Sequence, residues 1–194
     1  MQAIFLDIEA TGLDPFRHSP IDIALKVIDL NEALEKGAYQ SIIKISKEHW
    51  DKRDLASMEV NGYLWEEILK GNEIEKVREE IITLFIQLNI HRGKSVFICQ
   101  NPAFDRAFFS HIIEIYIQEK LNWPYHWLDF ASMYWALLTQ KVTQFPETIN
   151  LSKNEIARQY QILPEAFPHK AINGVDHLIE CYKIVVGFKP NLYS

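Results

Sequence analysis

The chain has 194 residues, 48% of them apolar and 24% charged, and a net charge of −6. That balance excludes a disordered or fibrous protein and supplies enough apolar material for one core, so a single domain over residues 1–194 is expected. The acidic balance excludes the basic stripe that grips a long duplex. It leaves room for acids that hold metal ions and for a site that touches only a strand end.

No apolar run approaches the ~18 residues of a membrane span, and the N-terminus lacks the basic, apolar, small-residue order of a signal peptide. A cytoplasmic protein with no membrane partner is expected. Cys99 and Cys181 lie in apolar surroundings without metal-ligand spacing, the pattern of buried reduced thiols.

The first apolar run, Ala3-Ile4-Phe5-Leu6-Asp7-Ile8-Glu9, reads as a strand. Residues 21–29 and 39–45 read as a second and a third, forming an antiparallel meander with residues 31–37 as a loop. Residues 46–71 mix charges with Trp50, Tyr63 and Trp65 and suit short helices over one edge. Asn72 with Glu75 three residues on predicts a capped helix carrying Ile74, Val77, Ile81, Phe85 and Leu88. Residues 95–99 read as a short buried strand, parallel to the first after the helical crossover.

Asn101-Pro102 then opens a helix whose apolar face takes in Phe104, Phe108, Ile112, Ile115 and Tyr116. Residues 127–130 suit a last short strand, followed by an aromatic helix over 131–139. Ser152 caps a helix with Ile156 and Tyr160, and a final helix carries Val175, Leu178, Ile179, Tyr182 and Val185. Three strands, then strands alternating with helices, describe an α/β domain with a mixed five-stranded sheet.

Three stretches carry candidate chemistry. Side chains alternate along a strand, so Asp7 and Glu9 share a face about 7 Å apart. Two like charges in a partly apolar setting call for a cation, unless the strand end has already surfaced and both acids are simply solvated. Asp105 follows Asn101 and Pro102 in the first turn of its helix. The helix dipole alone accounts for an acid there, but the parallel strand would bring it to the same sheet edge as Asp7 and Glu9. His169 sits in a loop outside any apolar stripe. An imidazole suits proton transfer from water, although a loop histidine is most often just a surface residue.

Together these stretches resemble the DEDD-type 3′-to-5′ exonucleases of the ribonuclease H-like fold, in the histidine-containing branch with ribonuclease T and polymerase proofreading subunits. Asp7-Ile8-Glu9-Ala10-Thr11-Gly12-Leu13-Asp14-Pro15 is similar to the first motif, and Asn101-Pro102-Ala103-Phe104-Asp105 to the second. The resemblance covers most of the chain and implies a three-layer fold with the mixed sheet between helices. It also implies two divalent cations, Mg2+ or Mn2+, held by Asp7, Glu9 and Asp105, with His169 activating water. The implied partner is the 3′ end of single-stranded DNA or RNA, bordered by Thr11, Leu13, Asn101 and Phe104. The products would be nucleoside 5′-monophosphates.

One position departs from the pattern. The third motif places its last acid five residues after the histidine, and here that residue is Gly174. Asp176 is the nearest substitute metal ligand, reached through a loosened Asn173-Gly174 segment, though it would turn about 200° away if both positions are helical. The missing acid leaves open a catalytically weakened module that only binds strand ends. A nuclease-fold protein acting on a small phosphodiester is a further alternative. Among the five tryptophans, one is a candidate anchor for a homodimer interface, against the commoner role in a core.

Overall fold

The computed structural model describes residues 1–144 and 147–188. Five strands, β1 (Gln2–Ala10), β2 (Pro20–Asp29), β3 (Leu34–Ile42), β4 (Ser95–Cys99) and β5 (Trp127–Asp129), form one sheet in the order β3-β2-β1-β4-β5. The first three pair antiparallel; β4 joins β1, and β5 joins β4, in parallel. Helices α1 (Lys47–Asp51), α2 (Leu55–Asn61) and α3 (Trp65–Ile68) are short, and α4 (Ile74–Gln87) is the crossover to β4. After β4 come α5 (Pro102–Ile112), α6 (Ile115–Lys120), α7 (Phe130–Thr139), α8 (Lys153–Gln159) and α9 (Ala171–Val185).

The alternation along β1 divides the core. Ile4, Leu6 and Ile8 pack with Val77, Ile81 and Phe85 of α4 and Phe108 and Ile112 of α5. Ala3 and Phe5 face the other way, onto Ile156 of α8 and Val175, Leu178 and Tyr182 of α9. Cys99 and Cys181 are buried and free. Trp50 and Trp123 are buried, Trp127 stacks on Phe97 with ring centroids 4.0 Å apart, and Trp65 packs on Trp50. Among the described residues, no helix is long and apolar enough to cross a membrane.

Three local expectations shift. The third strand starts at Leu34 rather than 39, because the Asp29 carboxylate accepts the Asn31 and Glu32 N–H groups and closes the turn early. The cap of α4 is Glu73, without a side-chain bond; Asn72 instead donates to Ser41 Oγ. The helix after Asn101 ends at Ile112, where Ile113 is extended, so Ile115 and Tyr116 open a new helix and are exposed.

Candidate active site

Strand length sets the floor of the site. The β1–β4 ladder ends at Phe5↔Ile98, yet β1 runs on to Ala10. A buried backbone donor needs a partner, and the Ile8 N–H finds one in the carboxylate of Asp105, from the first turn of α5. The unpaired end of β1 thereby draws the acid of the second stretch to the pair on the first. Pro102 occupies the first turn of α5 as expected, but Asn101 makes no side-chain cap bond.

A cleft of about 360 Å³ opens at this point. Asp7, Glu9, Leu13, Asn101, Phe104, Asp105 and His169 all line it. Phe104 also packs on Phe108, with ring centroids 4.7 Å apart. Thr11 does not line the cleft. Its side chain is fully buried, and its hydroxyl accepts the Ser19 N–H at 3.0 Å, which holds the turn after β1.

Asp176 does not line it either, and the expectation that it would replace the missing acid is not met. Helix α9 already begins at Ala171, so positions 174 and 176 are both helical and face different ways. The Asp176 carboxylate, 53% exposed, pairs with Lys26 Nζ on β2 at 2.6 Å. It is Gly174 that meets the site, by its backbone. A methyl group there would stand 2.3 Å from Asp7 Oδ2, so the helix can approach β1 this closely only without a side chain at that position.

Burial and crowding leave the carboxylates short of positive charge. Desolvation pushes Asp7 up to about 6, with Lys153 opposing and Glu165 and Asp22 adding to the rise. Desolvation and then the Asp7 charge push Glu9 up to about 8. Asp105, 4% exposed, is held well above the usual carboxylate range by burial and by Asp7. Hard oxygen donors carrying unrelieved negative charge are what a divalent cation binds, so the donor set fits one. Among the described residues, no three such side chains yet stand at ligand spacing around a point; a cation would close the set rather than enter a finished cage.

Three residues beyond the expected set shape the site. Lys153, the first residue of α8, is 8% exposed at its side chain and donates to the Gly174 carbonyl at 3.0 Å. Glu165, 4% exposed, meets Lys153 Nζ at 2.8 Å, and its other oxygen stands 3.9 Å from His169 Nδ1. Burial opposes the charge on Lys153, but Asp7 and Glu165 outweigh it and raise its pKa above that of a free lysine. The third, Asp22, lies opposite Glu9 on β2 and accepts from both the Tyr63 hydroxyl at 2.6 Å and the Ala171 N–H at 2.9 Å. With the His169 N–H bonded to Val60 O at 3.0 Å, that fixes the loop carrying the histidine.

Two of these left a trace in the sequence. Lys153 shares the buried stripe of α8 with Ile156 and Ala157, a place where a lysine is rare unless it is paired. Asp22 interrupts the apolar run Ile21-Asp22-Ile23. Glu165 lies in no regular element, and no periodicity marks it.

Residues 4–180 match the RNase T family model, described as an exonuclease. The chain belongs to the RNase T exonuclease family. No curated protein matches the sequence. Among solved structures, E. coli exonuclease I in complex with a dT13 oligonucleotide is similar to this chain with a TM-score of 0.76 at 17% identity, covering 99% of this chain and 42% of that one. Cell-death related nuclease 4 (CRN-4) gives 0.70 at 13% identity, covering 97% and 65% of the two chains. A full-length 3′-exonuclease gives 0.71 at 11%, covering 97% and 62%. At these identities the likeness is one of fold, and the mixed sheet between helices is the ribonuclease H-like arrangement expected from the motifs. The chain spans 42% of the length of exonuclease I.

Proposed function

We propose that this exonuclease removes nucleotides from the 3′ end of single-stranded DNA or RNA, releasing nucleoside 5′-monophosphates in a reaction that depends on divalent cations. The observation that carries this reading is the convergence of Asp7, Glu9, Asp105 and His169, from three separate parts of the chain, on one cleft. The oligonucleotide bound to exonuclease I supports single strands as the substrate class. Magnesium or manganese, when bound, supplies Lewis-acid stabilisation of the charge that develops on the scissile phosphate.

The chain's own residues do the rest. Asp7, Glu9 and Asp105 are the residues that would hold the cation, and their position would set where the phosphate lies. His169 takes the proton from the attacking water, and Glu165, facing its Nδ1, keeps the ring turned toward the cleft. Leu13, 73% exposed on the rim, and Phe104 border the terminal nucleotide, with Asn101 within reach of its polar edge. The bare backbone at Gly174 supports a second reading, a module that binds strand ends without cutting them.

A 5′-labelled oligonucleotide incubated with Mn2+ separates the two. The exonuclease yields a ladder shortened from the 3′ end, and Asp7→Ala reduces its rate on the order of 10³-fold or more. Retention of the strand without any ladder at high protein concentration would mean the binding module.

A further inference from the structure

The position that lacks its acid is not left empty of charge. Gly174 turns its backbone to Asp7, and its carbonyl receives a proton donor, the ammonium of Lys153 at 3.0 Å. Glu165 closes on the same ammonium at 2.8 Å. Both side chains are nearly buried, 8% and 4% exposed, so this is a desolvated pair and not a rim contact. Asp7 and Asp105 both feel the Lys153 charge. The ammonium thus stands among carboxylates on the α9 side of Asp7, the side from which a fourth acid would have reached it.

We propose that Lys153, clasped by Glu165 and the Gly174 carbonyl beside Asp7, is the site's built-in second cation, so that this exonuclease binds one divalent metal ion where its motifs imply two. The inference rests on the proposed metal-dependent reading of the cleft and gives that reading a stoichiometry. Two arguments support it. A second divalent ion at Asp7 would need a carboxylate that Gly174 cannot present, since even a methyl group there collides with Asp7. Such an ion would also stand close to a fixed positive charge in a site shielded from water, where like charges repel far more strongly than at a surface. A lysine, unlike a metal ion, cannot dissociate. It holds the α9 side of Asp7 neutralised whether or not nucleic acid is present, and Glu165 takes the place of the absent acid by binding the ammonium and not a metal.

The test counts Mn2+ by electron paramagnetic resonance on the full chain, taking as site ions those abolished by Asp7→Ala. The wild-type chain is expected to hold one. Lys153→Ala, which empties the space and frees Glu165 beside Asp7, is expected to hold two, with the exchange-broadened spectrum of a coupled pair. Two Asp7-dependent ions in the wild type, or one in a folded Lys153→Ala chain, overturn the inference while leaving the metal-dependent reading intact. No Asp7-dependent ion in the wild type overturns both. If circular dichroism shows that Lys153→Ala has not folded, the wild-type count decides alone.

Discussion

The two walls of the cleft follow different rules. One is made by the overhanging end of β1 and the first turn of α5, and its ionisable groups are all carboxylates, each fixed by regular backbone. The other is made by the start of α8, the loop before α9 and the first turn of α9, and carries a lysine, a glutamate, a histidine and a bare glycine. The acidic wall creates a need for positive charge that the opposite wall meets in part from within the protein. A set of acids is therefore an incomplete description of a metal site until the charges facing it are known.

The comparison can be broken most sharply at the histidine. If the second wall supplies the general base, His169→Ala lowers kcat on a single-stranded oligonucleotide by ~10²–10⁴-fold with little change in KM. An equal rise in KM with unchanged kcat would make His169 a binding residue instead. Next comes the glycine. Gly174→Ala should push the Asp7 carboxylate out of place, lowering activity ~10²-fold and stability by about 1–3 kcal/mol in denaturant unfolding. Full activity in that variant would mean that α9 retreats from β1 without consequence. The smallest effect belongs to Asp176→Asn, which breaks a surface pair with Lys26 outside both walls. It should change activity less than ~2-fold and stability by under ~1 kcal/mol, and a large loss of activity would return Asp176 to the site.

Legibility in the sequence follows the same division. Asp7 and Glu9 are readable as partners because a strand has a period of two, and Asp105 because a proline after the cap position fixes its place in a first turn. The antiparallel meander and the parallel pairing of β4 with β1 followed from the lengths of the connections and the helical crossover. The second wall depends on how α8 and α9 dock across the chain, which no local pattern encodes. Asp176 drew attention as the acid nearest in sequence, yet the start of α9 at Ala171 turns it toward β2. Glu165, closer to the cleft than Asp176, lies in an irregular segment where side-chain direction has no period. Thr11 is near the site in sequence, but its hydroxyl is needed by the turn it stabilises.

The bonds that the Tyr63 hydroxyl and the Ala171 N–H donate to Asp22, with that from the His169 N–H to the Val60 carbonyl, bear on how substrate must arrive. The segment bearing the imidazole is pinned on both sides of the ring, so it cannot swing to meet an incoming strand. Under the proposed reading the imidazole is a fixed jig, and the strand end must be fed to it because the ring is not carried to the strand.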